Sequence, residues 1–459
     1  MLRNTYIYQY LATITGSFSI LSCGVNQAWT SPYLPQIING SYPQISMTSA
    51  QGSWCAVMAP LSAPIGALIG ALLVDRLGRK YTTLLMAPYT LIMFIFLAFA
   101  NNLVLISLIR FVIGIVEGVL YTSLPMYLGE ISAPEVRGIL TASVQFGALL
   151  GTLLINVFGL YFSIFTTSLI FAAVPLLHFV TYFWMPESPY YLIKKNKKAE
   201  AKAALILLRG SVDVDSEMHS LCEAVSRQES DRKTKMSELV TVRSNRRALL
   251  IFVILCTTRK FSGNSPFLFY TAQIFQMAQG SLHPHLSVII FLTIQIIAAM
   301  LSLYLLDRVG RRPIILSSTV VCVITLGIIG LYFYLQDHHV QYVENLRWLP
   351  ITVLVCYIVF YNIGLELSPV VYVGELFPTN IKAIALGFAE TFAAMNGIVT
   401  AMLFSILADN YGMFLPFWIF ATCCAVGLLL IAKFVPETKN KTLEQIQMEL
   451  IAGASKSNS

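Results

Sequence analysis

The sequence predicts an all-α polytopic membrane protein, with twelve transmembrane helices arranged in two six-helix bundles. The first observation is composition: of the 459 residues, 56% are hydrophobic and only 12% are charged, whereas soluble proteins carry roughly 25% charged residues. The second is that apolar runs long enough to cross a bilayer, about 20 residues each, recur along the chain. The third is that short charged motifs occur twice in the same order, which is typical of membrane proteins built from two repeats.

The apolar runs define the expected elements in chain order. The first six spans are predicted at residues 8–28, 53–74, 81–100, 103–127, 139–160 and 163–185. The second six are predicted at residues 248–278, 285–306, 313–335, 348–372, 382–408 and 412–435. The chain then divides into an N-terminal bundle at 1–190, a cytoplasmic linker with short helices at 191–247, a C-terminal bundle at 248–440 and a cytoplasmic tail at 441–459.

Repeated charged motifs mark the ends of these helices. Residues 75–80 read Asp-Arg-Leu-Gly-Arg-Lys, and residues 307–312 read Asp-Arg-Val-Gly-Arg-Arg. Glycine permits a tight turn, and arginine can bond a carboxylate through two N–H groups. We interpret the set as a latch that holds the two halves together on the cytoplasmic side; simple anchoring of loop arginines is the alternative. The predicted latch residues are Asp75, Arg76, Arg79, Arg110, Glu117, Glu130, Arg137, Asp307, Arg308, Arg311, Glu375 and Lys382.

The distribution of Lys and Arg predicts the orientation. The loops after spans 2 and 8 and the C-terminal tail are basic, whereas residues 29–52 contain no charged residue. Because cytoplasmic loops carry the excess of Lys and Arg, we expect both termini in the cytoplasm and the plasma membrane as the location. Asn39-Gly40-Ser41 then lies outside, where Asn39 is a predicted glycosylation acceptor.

Several motifs carry a resemblance to a known family. They are the two D-R-x-G-R-[RK] motifs, Arg110 with Gly114, Pro125-x-Tyr127-x-x-Glu130, Arg137-Gly138, Pro186-Glu187-Ser188-Pro189 and Pro436-Glu437-Thr438-Lys439. In order and spacing the chain resembles the sugar porter family of the major facilitator superfamily. Trp29-Thr30-Ser31-Pro32 and Gln51-Gly52-Ser53-Trp54 resemble its insect facilitated trehalose transporter branch. The resemblance implies a central cavity and facilitated diffusion, by alternating access, of a small polar solute such as trehalose or a hexose.

The resemblance also indicates the solute-binding positions, where this chain departs from the family. The family run Q-Q-x-[ST]-G-x-N on helix 7 is here Arg-Lys-Phe-Ser-Gly-Asn-Ser at residues 259–265. Val370 occupies the position of a usual tryptophan, and Glu390-Thr391 replaces Asn-Trp. The substrate-binding residues that the resemblance implies are Gln145, Arg259, Lys260, Ser262, Ser265, Gln295 and Glu390.

The two cations on helix 7 lie deep in the predicted span. Arg259 is about twelve residues into it, hence roughly 18 Å deep at about 1.5 Å per residue. A charge at the bilayer centre costs about 2.5–3.5 kcal/mol on insertion scales and usually faces a partner or a cavity. We therefore consider three roles for Arg259 and Lys260: pairing with Glu366 and Glu390, binding an anionic or zwitterionic solute, or extending to the interface.

A second pair of charges lies on helix 4, where Arg110 and Glu117 are seven residues apart and so on one face. We expect a buried pair. Proton-coupled sugar porters carry an acid on helix 1 near this arginine, whereas this chain has Val25 at about that place and no Asp or Glu on the helix. Facilitated diffusion is therefore expected, and the alternatives are a proton-coupled or anion-type carrier and a non-transporting sensor.

Other function classes lack their motifs. The chain has no C-x-x-C, no H-E-x-x-H and no phosphate-binding G-x-x-x-x-G-K-[ST]. No cofactor, metal site, ATP-driven step or enzymatic activity is predicted. The net charge of +7 is spread over many short loops, which does not indicate nucleic-acid binding. The expected partners are a small-molecule solute and the lipid bilayer, with the protein as a monomer.

Overall fold

A computed structural model describes residues 6–45, 47–211, 213–230, 241–366, 368–377, 379–439 and 445. All regular secondary structure in this part of the chain is helical. Ten of its helices are long and apolar enough to cross a membrane. Each of the twelve predicted spans coincides with one helix or with a run of consecutive helices, as the bounds below show.

The first half contains seven longer or medium helices. They are α1 (Ile7–Ala28), α2 (Thr30–Ile38), α3 (Ser49–Leu77), α4 (Arg79–Ala98), α5 (Leu103–Ile131), α6 (Pro134–Tyr161) and α7 (Ile164–Tyr182). Local capping sets several of these ends. The side chain of Asn102 accepts a hydrogen bond from the Leu105 N–H at 2.8 Å and so begins α5. Gly78, at φ 102°, separates α3 from α4, because a glycine adopts this backbone conformation without strain.

Three short helices follow: α8 (Pro189–Lys194), α9 (Lys198–Arg209) and α10 (Asp215–Ser230). The sequence predicted them as part of a linker. In the structure the side chain of Gln9, which is fully buried, donates to the Leu208 carbonyl at 2.8 Å and accepts from the Ala133 N–H at 2.9 Å. Arg209 donates to the Ile131 carbonyl at 2.8 Å. These contacts join α9 to the ends of α1, α5 and α6.

The second half contains helices that are interrupted twice. They are α11 (Arg243–Arg259), a π-helical segment π1 (Lys260–Asn264), α12 (Ser265–Ala278), α13 (Pro284–Val309), α14 (Arg311–Asp337), a 3-10 turn (Gln341–Leu346), α15 (Leu349–Phe360), a second π-helical segment π2 (Tyr361–Glu366), α16 (Ser368–Leu376), α17 (Thr379–Tyr411) and α18 (Phe414–Phe434). Predicted span 7 is thus α11–π1–α12, and predicted span 10 is α15–π2–α16. π-helical turns often occur at functional sites, which directs attention to both segments.

Two compact units divide the chain. The first comprises residues 1–47 and 54–232, and the second comprises residues 48–53 and 233–459. Residues 191–232 of the predicted linker therefore belong to the first unit by their contacts. The predicted boundaries at 190, 247 and 440 stay predictions.

The core of the first unit depends on helices that approach closely through glycine. A Cβ added to Gly66 would lie 2.0 Å from the Ile115 carbonyl oxygen, and one added to Gly118 would lie 2.0 Å from the Ala63 oxygen. Gly24 and Gly151 bring α1 and α6 together in the same way. Small residues permit this approach in membrane helices, where van der Waals packing holds helices together.

Aromatic rings fill the core of the second unit. Phe267 packs against Tyr357 with ring centroids 5.0 Å apart, and Phe333 stacks on Phe417 at 5.5 Å. Tyr357 and Tyr361 are both fully buried and stack at 5.6 Å. This packing holds π2 and the start of α12 beside each other, which positions the polar groups described next.

Candidate functional site

An ion pair joins the end of α11, just before π1, to the end of π2. Arg259, the last residue of α11, donates through Nη2 to Glu366 Oε1 at 2.5 Å and through Nε to Oε2 at 3.1 Å. Glu366 ends π2, and the Tyr361 hydroxyl donates to its Oε2 at 2.6 Å. Of the three roles considered for Arg259, the structure places it in the first, paired with Glu366. Tyr361 was not predicted from the sequence.

The chain around this pair is locally broken and polar. Gly263, at φ 92°, interrupts the helix between Arg259 and α12, and an added Cβ there would lie 2.9 Å from the Phe420 ring. Ser262 is fully buried and donates to the Arg259 carbonyl at 2.7 Å. The Tyr357 hydroxyl donates to the Ser262 carbonyl at 2.9 Å. Arg259, Ser262 and Gly263 of the family run therefore lie at the junction of α11, π1 and α12.

Ser265 and Lys260 face a single point on α17. A Cβ added to Gly397 would lie 3.2 Å from Ser265 Oγ and 3.8 Å from Lys260 Nζ. Ser265 is buried, and Lys260 is half-buried. The other predicted partner, Glu390, has a side chain outside the described part of the chain. Its pairing with Lys260 stays a prediction.

Two predicted amides have open hydrogen-bonding capacity. Gln145 on α6 and Gln295 on α13 are both half-buried. Within the described residues neither side chain makes a hydrogen bond. An amide offers donors and acceptors that suit a sugar hydroxyl, so both remain predicted substrate-binding residues of their own units.

A second buried arginine lies in the first unit. Arg110 is fully buried, and its Nε donates to the Cys55 carbonyl at 2.9 Å. Its Nη1 donates to the Asn26 carbonyl at 3.0 Å, and its Nη2 donates to the Ala56 carbonyl at 3.3 Å. The Trp29 ring lies 5.6 Å from the guanidinium carbon, a distance at which a ring face attracts a cation.

Asn26 connects this arginine to Glu117. The Asn26 amide donates to Glu117 Oε1 at 2.6 Å, while its Oδ1 accepts from Arg110 at 3.4 Å. The Gln27 amide lies 3.5 Å from the other carboxylate oxygen. Val25 lies at about the place of the helix 1 acid in proton-coupled members of the family. The residue of α1 that bonds both charges is Asn26, one position further on.

The charged motif at residues 75–80, called the first hinge from here on, lies among most of the latch residues predicted in the first unit; the motif at 307–312 is the second hinge. Arg79 is 4% exposed in its side chain and donates to Glu130 through Nη2 at 2.7 Å and through Nε at 2.8 and 3.0 Å. Ser188 also donates to Glu130. Asp75 accepts from Lys194 at 2.6 Å. Arg76 contributes its carbonyl, which accepts from the Tyr191 hydroxyl at 2.8 Å.

Arg137, which was also predicted as a latch residue, donates to the Ser132 carbonyl at 3.2 Å.

Glu187 caps the helix that follows this hinge. Its carboxylate accepts from the backbone N–H groups of Arg79 and Lys80 at 3.1 Å and of Ser188 at 2.7 Å. The first N–H groups of a helix have no partner within the helix, so an acceptor here stabilises its start. A Cβ on Gly78 would lie 2.3 Å from Glu187 Oε2, so glycine is required for this contact.

The second hinge repeats this cap. Glu437 accepts from the backbone N–H groups of Arg311 at 3.1 Å and Arg312 at 3.0 Å, after Gly310 at φ 112°. It also accepts from the backbone N–H groups of Thr438 and Lys439, each at 2.9 Å. Arg308 is exposed, and its guanidinium lies 4.3 Å from the Tyr304 ring centre. The side chains of Asp307, Glu375 and Lys382 lie outside the described part, so their predicted latch contacts stay predictions.

The two capping carboxylates differ in how readily they bind a proton. Burial raises the pKa of Glu187, and its backbone hydrogen bonds offset only part of that effect. Burial also acts on Glu437, but four backbone N–H donors outweigh it and lower the pKa of this carboxyl below its ordinary value. Neither glutamate was among the predicted site residues. The signal that could have found them is the Pro-Glu-[Ser/Thr] motif that accompanies each glycine hinge.

Asn39 lies where a glycan could be attached. It ends α2, and Asn39, Gly40 and Ser41 are all exposed. No group of three or more His, Cys, Asp or Glu side chains in the described residues has a metal-binding arrangement.

Comparison with known proteins gives concordant matches. The family described as "Sugar (and other) transporter" matches residues 8–450. The facilitated trehalose transporter Tret1 of Drosophila willistoni is 31% identical over 450 residues, which are 97% of this chain and 51% of that protein. Tret1 of Anopheles gambiae is 31% identical over 450 residues, or 97% of this chain and 56% of that protein. The chain thus spans about half the length of these relatives.

Solved structures agree on the fold. The proton:xylose symporter XylE bound to 6-bromo-6-deoxy-D-glucose, a major facilitator superfamily protein, matches with a TM-score of 0.75 at 21% identity, covering 96% of this chain and 98% of that one. The inward open xylose transporter XylE from E. coli matches with a TM-score of 0.77 at 19% identity, covering 96% and 99%. The predicted major facilitator fold is confirmed.

Proposed function

The chain belongs to the sugar (and other) transporter family, and on that premise we propose that it moves a small polar solute, by default a sugar such as trehalose or a hexose, across a membrane. The similarity to the Tret1 proteins supports a sugar as the default. The protein is an integral membrane protein, and an enzymatic role is not proposed because its relatives are carriers.

The observation that carries the proposal is the broken seventh span. Buried serines at 262 and 265 and the ion pair at Arg259 converge where π1 interrupts the helix. Polar groups inside a membrane segment are expensive, and discontinuous helices near the bilayer midplane form the substrate sites of many transporters. We propose that this junction, with Gln295, binds the solute in the second unit, and we propose Gln145 as a solute-binding residue of the first unit.

Facilitated diffusion by alternating access is the proposed mode. The α1 residue that bonds Arg110 is the neutral Asn26, which cannot carry a proton between the two sides. The second candidate is a proton-coupled carrier, and the buried carboxylate of Glu117 favours it, since it is the one ionisable acid that bonds Asn26 within the described residues.

The finer assignments are part of the same proposal. We propose a plasma-membrane location with both termini cytoplasmic, a monomer, and a glycan on Asn39. The hinge residues around Arg79 and Glu130, and their counterparts at 307–312 and 375, are proposed to act as a cytoplasmic latch. The exposed turn at Asn39 supports the glycan. The test is treatment with an endoglycosidase, which should remove a glycan from the wild-type protein and find none to remove in Asn39→Gln. This result would support both the modification and the orientation.

Uptake by purified protein in liposomes tests the function. Labelled trehalose, glucose and xylose would be offered at pH 7.5 and pH 6, with empty liposomes as the control. Saturable uptake that does not change between the two pH values supports facilitated diffusion. Uptake that rises at pH 6 and loses this rise in Glu117→Gln supports the proton-coupled candidate. No uptake of any polar solute by folded protein contradicts transport and favours a sensor.

A further inference from the structure

The ion pair at Arg259 leaves one edge of the guanidinium unused. Arginine presents five N–H groups in a flat fork. Glu366 occupies the side formed by Nε and Nη2. The remaining three hydrogens, two on Nη1 and one on Nη2, have no acceptor among the described residues, and one hydrogen from each nitrogen forms the end-on edge. This end-on edge has the geometry that receives a second carboxylate through two parallel hydrogen bonds.

The partner carboxylate, by contrast, already accepts three hydrogen bonds. Glu366 Oε1 accepts from Arg259, and Oε2 accepts from both Arg259 and Tyr361. The cluster therefore offers a solute donors and few acceptors. A sugar hydroxyl is both a donor and an acceptor, whereas an ionised carboxylate is an acceptor only. A donor-only edge matches the carboxylate better than the hydroxyl.

The surroundings keep this edge within reach of a solute. The Arg259 side chain is 17% exposed and that of Glu366 is 11% exposed, so the pair is not sealed in the core. A charged edge in a membrane segment faces a polar cavity far more often than lipid. The next residue, Lys260, adds a second positive charge at the same junction, beside Ser265 and Gly397.

We propose that Arg259 makes the second unit's solute site selective for acidic solutes, in particular sugar acids that carry one carboxylate, over neutral sugars of the same size. The inference rests on the transport function proposed above and names its substrate class. The solute carboxylate binds the end-on edge of Arg259 while Glu366 keeps the side-on edge, so that binding leaves the internal pair intact. The sugar hydroxyls are left for uncharged groups such as Ser265 and Gln295.

The test compares matched solutes in liposomes that contain the full chain. Uptake of labelled glucuronate and gluconate would be measured beside glucose at pH 7.5, where both acids are ionised. We expect uptake of the acids to exceed that of glucose at least tenfold. Arg259→Gln should lower the ratio of acid uptake to glucose uptake at least tenfold. Arg347→Gln is the control for loss of a positive charge, because Arg347 is exposed and pairs with a nearby exposed glutamate, Glu344.

A second variant covers the case in which Arg259→Gln does not fold, since it leaves Glu366 without its cation. Arg259→Gln/Glu366→Gln removes both charges together, and the proposal predicts that it folds and has no preference for acids. Wild-type uptake of glucose with no uptake of either acid overturns this inference and leaves the transport function standing. An acid preference that survives in the double variant also overturns it. Absence of any uptake by folded wild-type protein overturns both.

Discussion

Arg110 in the first unit and Arg259 in the second are both arginines inside membrane helices, yet different groups receive their hydrogens. Arg110 donates to the backbone carbonyls of Asn26, Cys55 and Ala56. Among the described residues, Arg259 donates to one side chain, that of Glu366, and its end-on edge has no acceptor. The first is fully buried, and the second is partly exposed. A guanidinium held by backbone acceptors is fixed, whereas one held by a single side chain can accept a further ligand.

One of the carbonyls that bind Arg110 lacks its usual donor because a proline interrupts the hydrogen bonding of α3. Pro60 lies inside α3 and has no N–H, so it cannot donate to the carbonyl of Ala56 four residues earlier. The Asn26 carbonyl, in the last turn of α1, accepts from the Trp29 N–H at 3.3 Å and from Arg110 as well. Arg110 supplies donors to both places. Backbone hydrogen bonds therefore stabilise Arg110 in its buried position.

Removing Arg110 should have the largest effect on stability. Arg110→Gln leaves the buried Ala56 carbonyl without a donor and removes the charged hydrogen bonds to the Cys55 and Asn26 carbonyls. Each of these losses costs about 1–3 kcal/mol, so we expect a total loss of roughly 4 kcal/mol or more. The measurement is thermal unfolding of the purified protein in detergent. Arg110→Lys, which keeps the charge but not the flat fork, should recover only part of the loss. A stable Arg110→Gln protein with altered solute selectivity would contradict the distinction drawn between the two arginines.

Breaking the ion pair between Arg259 and Glu366 should cost somewhat less stability. A second substitution that removes the remaining charge should restore most of the loss. Glu366→Gln leaves Arg259 without its carboxylate, and an unpaired charge of this kind costs about 3 kcal/mol. Arg259→Gln/Glu366→Gln should return to within about 1 kcal/mol of wild type in the same unfolding measurement. Glu344→Gln, which breaks an exposed pair with Arg347, serves as a control with an expected change of about 0–1 kcal/mol. A double variant as unstable as Glu366→Gln would argue against compensation.

The proline explanation of Arg110 makes a smaller and sharper prediction. Pro60→Ala restores an N–H that can bond the Ala56 carbonyl within α3. In an Arg110→Gln background it should therefore recover about 1–2 kcal/mol, whereas in the wild-type background the carbonyl already has a donor and the gain should be smaller. Pro64→Ala, in the same helix, is the matched control. Equal gains in both backgrounds would contradict the proposed link between Pro60 and Arg110.

The sequence predicted the fold because its signals are periodic and repeated, whereas the missed site residues depend on local breaks. The apolar runs and paired glycine hinges sufficed to place all twelve spans. Tyr361 was missed because an α-helix puts residues five apart on different faces, and only the wider π turn brings its hydroxyl to Glu366. The cap by Glu187 joins segments too far apart in sequence to be predicted from local spacing.

The hinges extend the comparison to carboxylates that backbone groups hold, and here the expected effects are the smallest. Glu437, whose pKa is lowered by four backbone donors, stabilises the fold above its ordinary pKa near 4.3, and this contribution is lost as the pH falls through the lowered value. Glu187, whose pKa is raised by burial, has the opposite effect: its contribution to stability rises as the pH falls, because the folded protein binds the proton more readily than the unfolded chain.

Glu437→Gln should therefore cost about 1 kcal/mol of stability at pH 7 and less at pH 4. The stability of the wild type relative to Glu187→Gln should increase as the pH falls over the same range. Unfolding temperatures of both variants at pH 7, 5.5 and 4 measure the two trends, and parallel trends would show that the two caps are electrostatically equivalent despite their different burial.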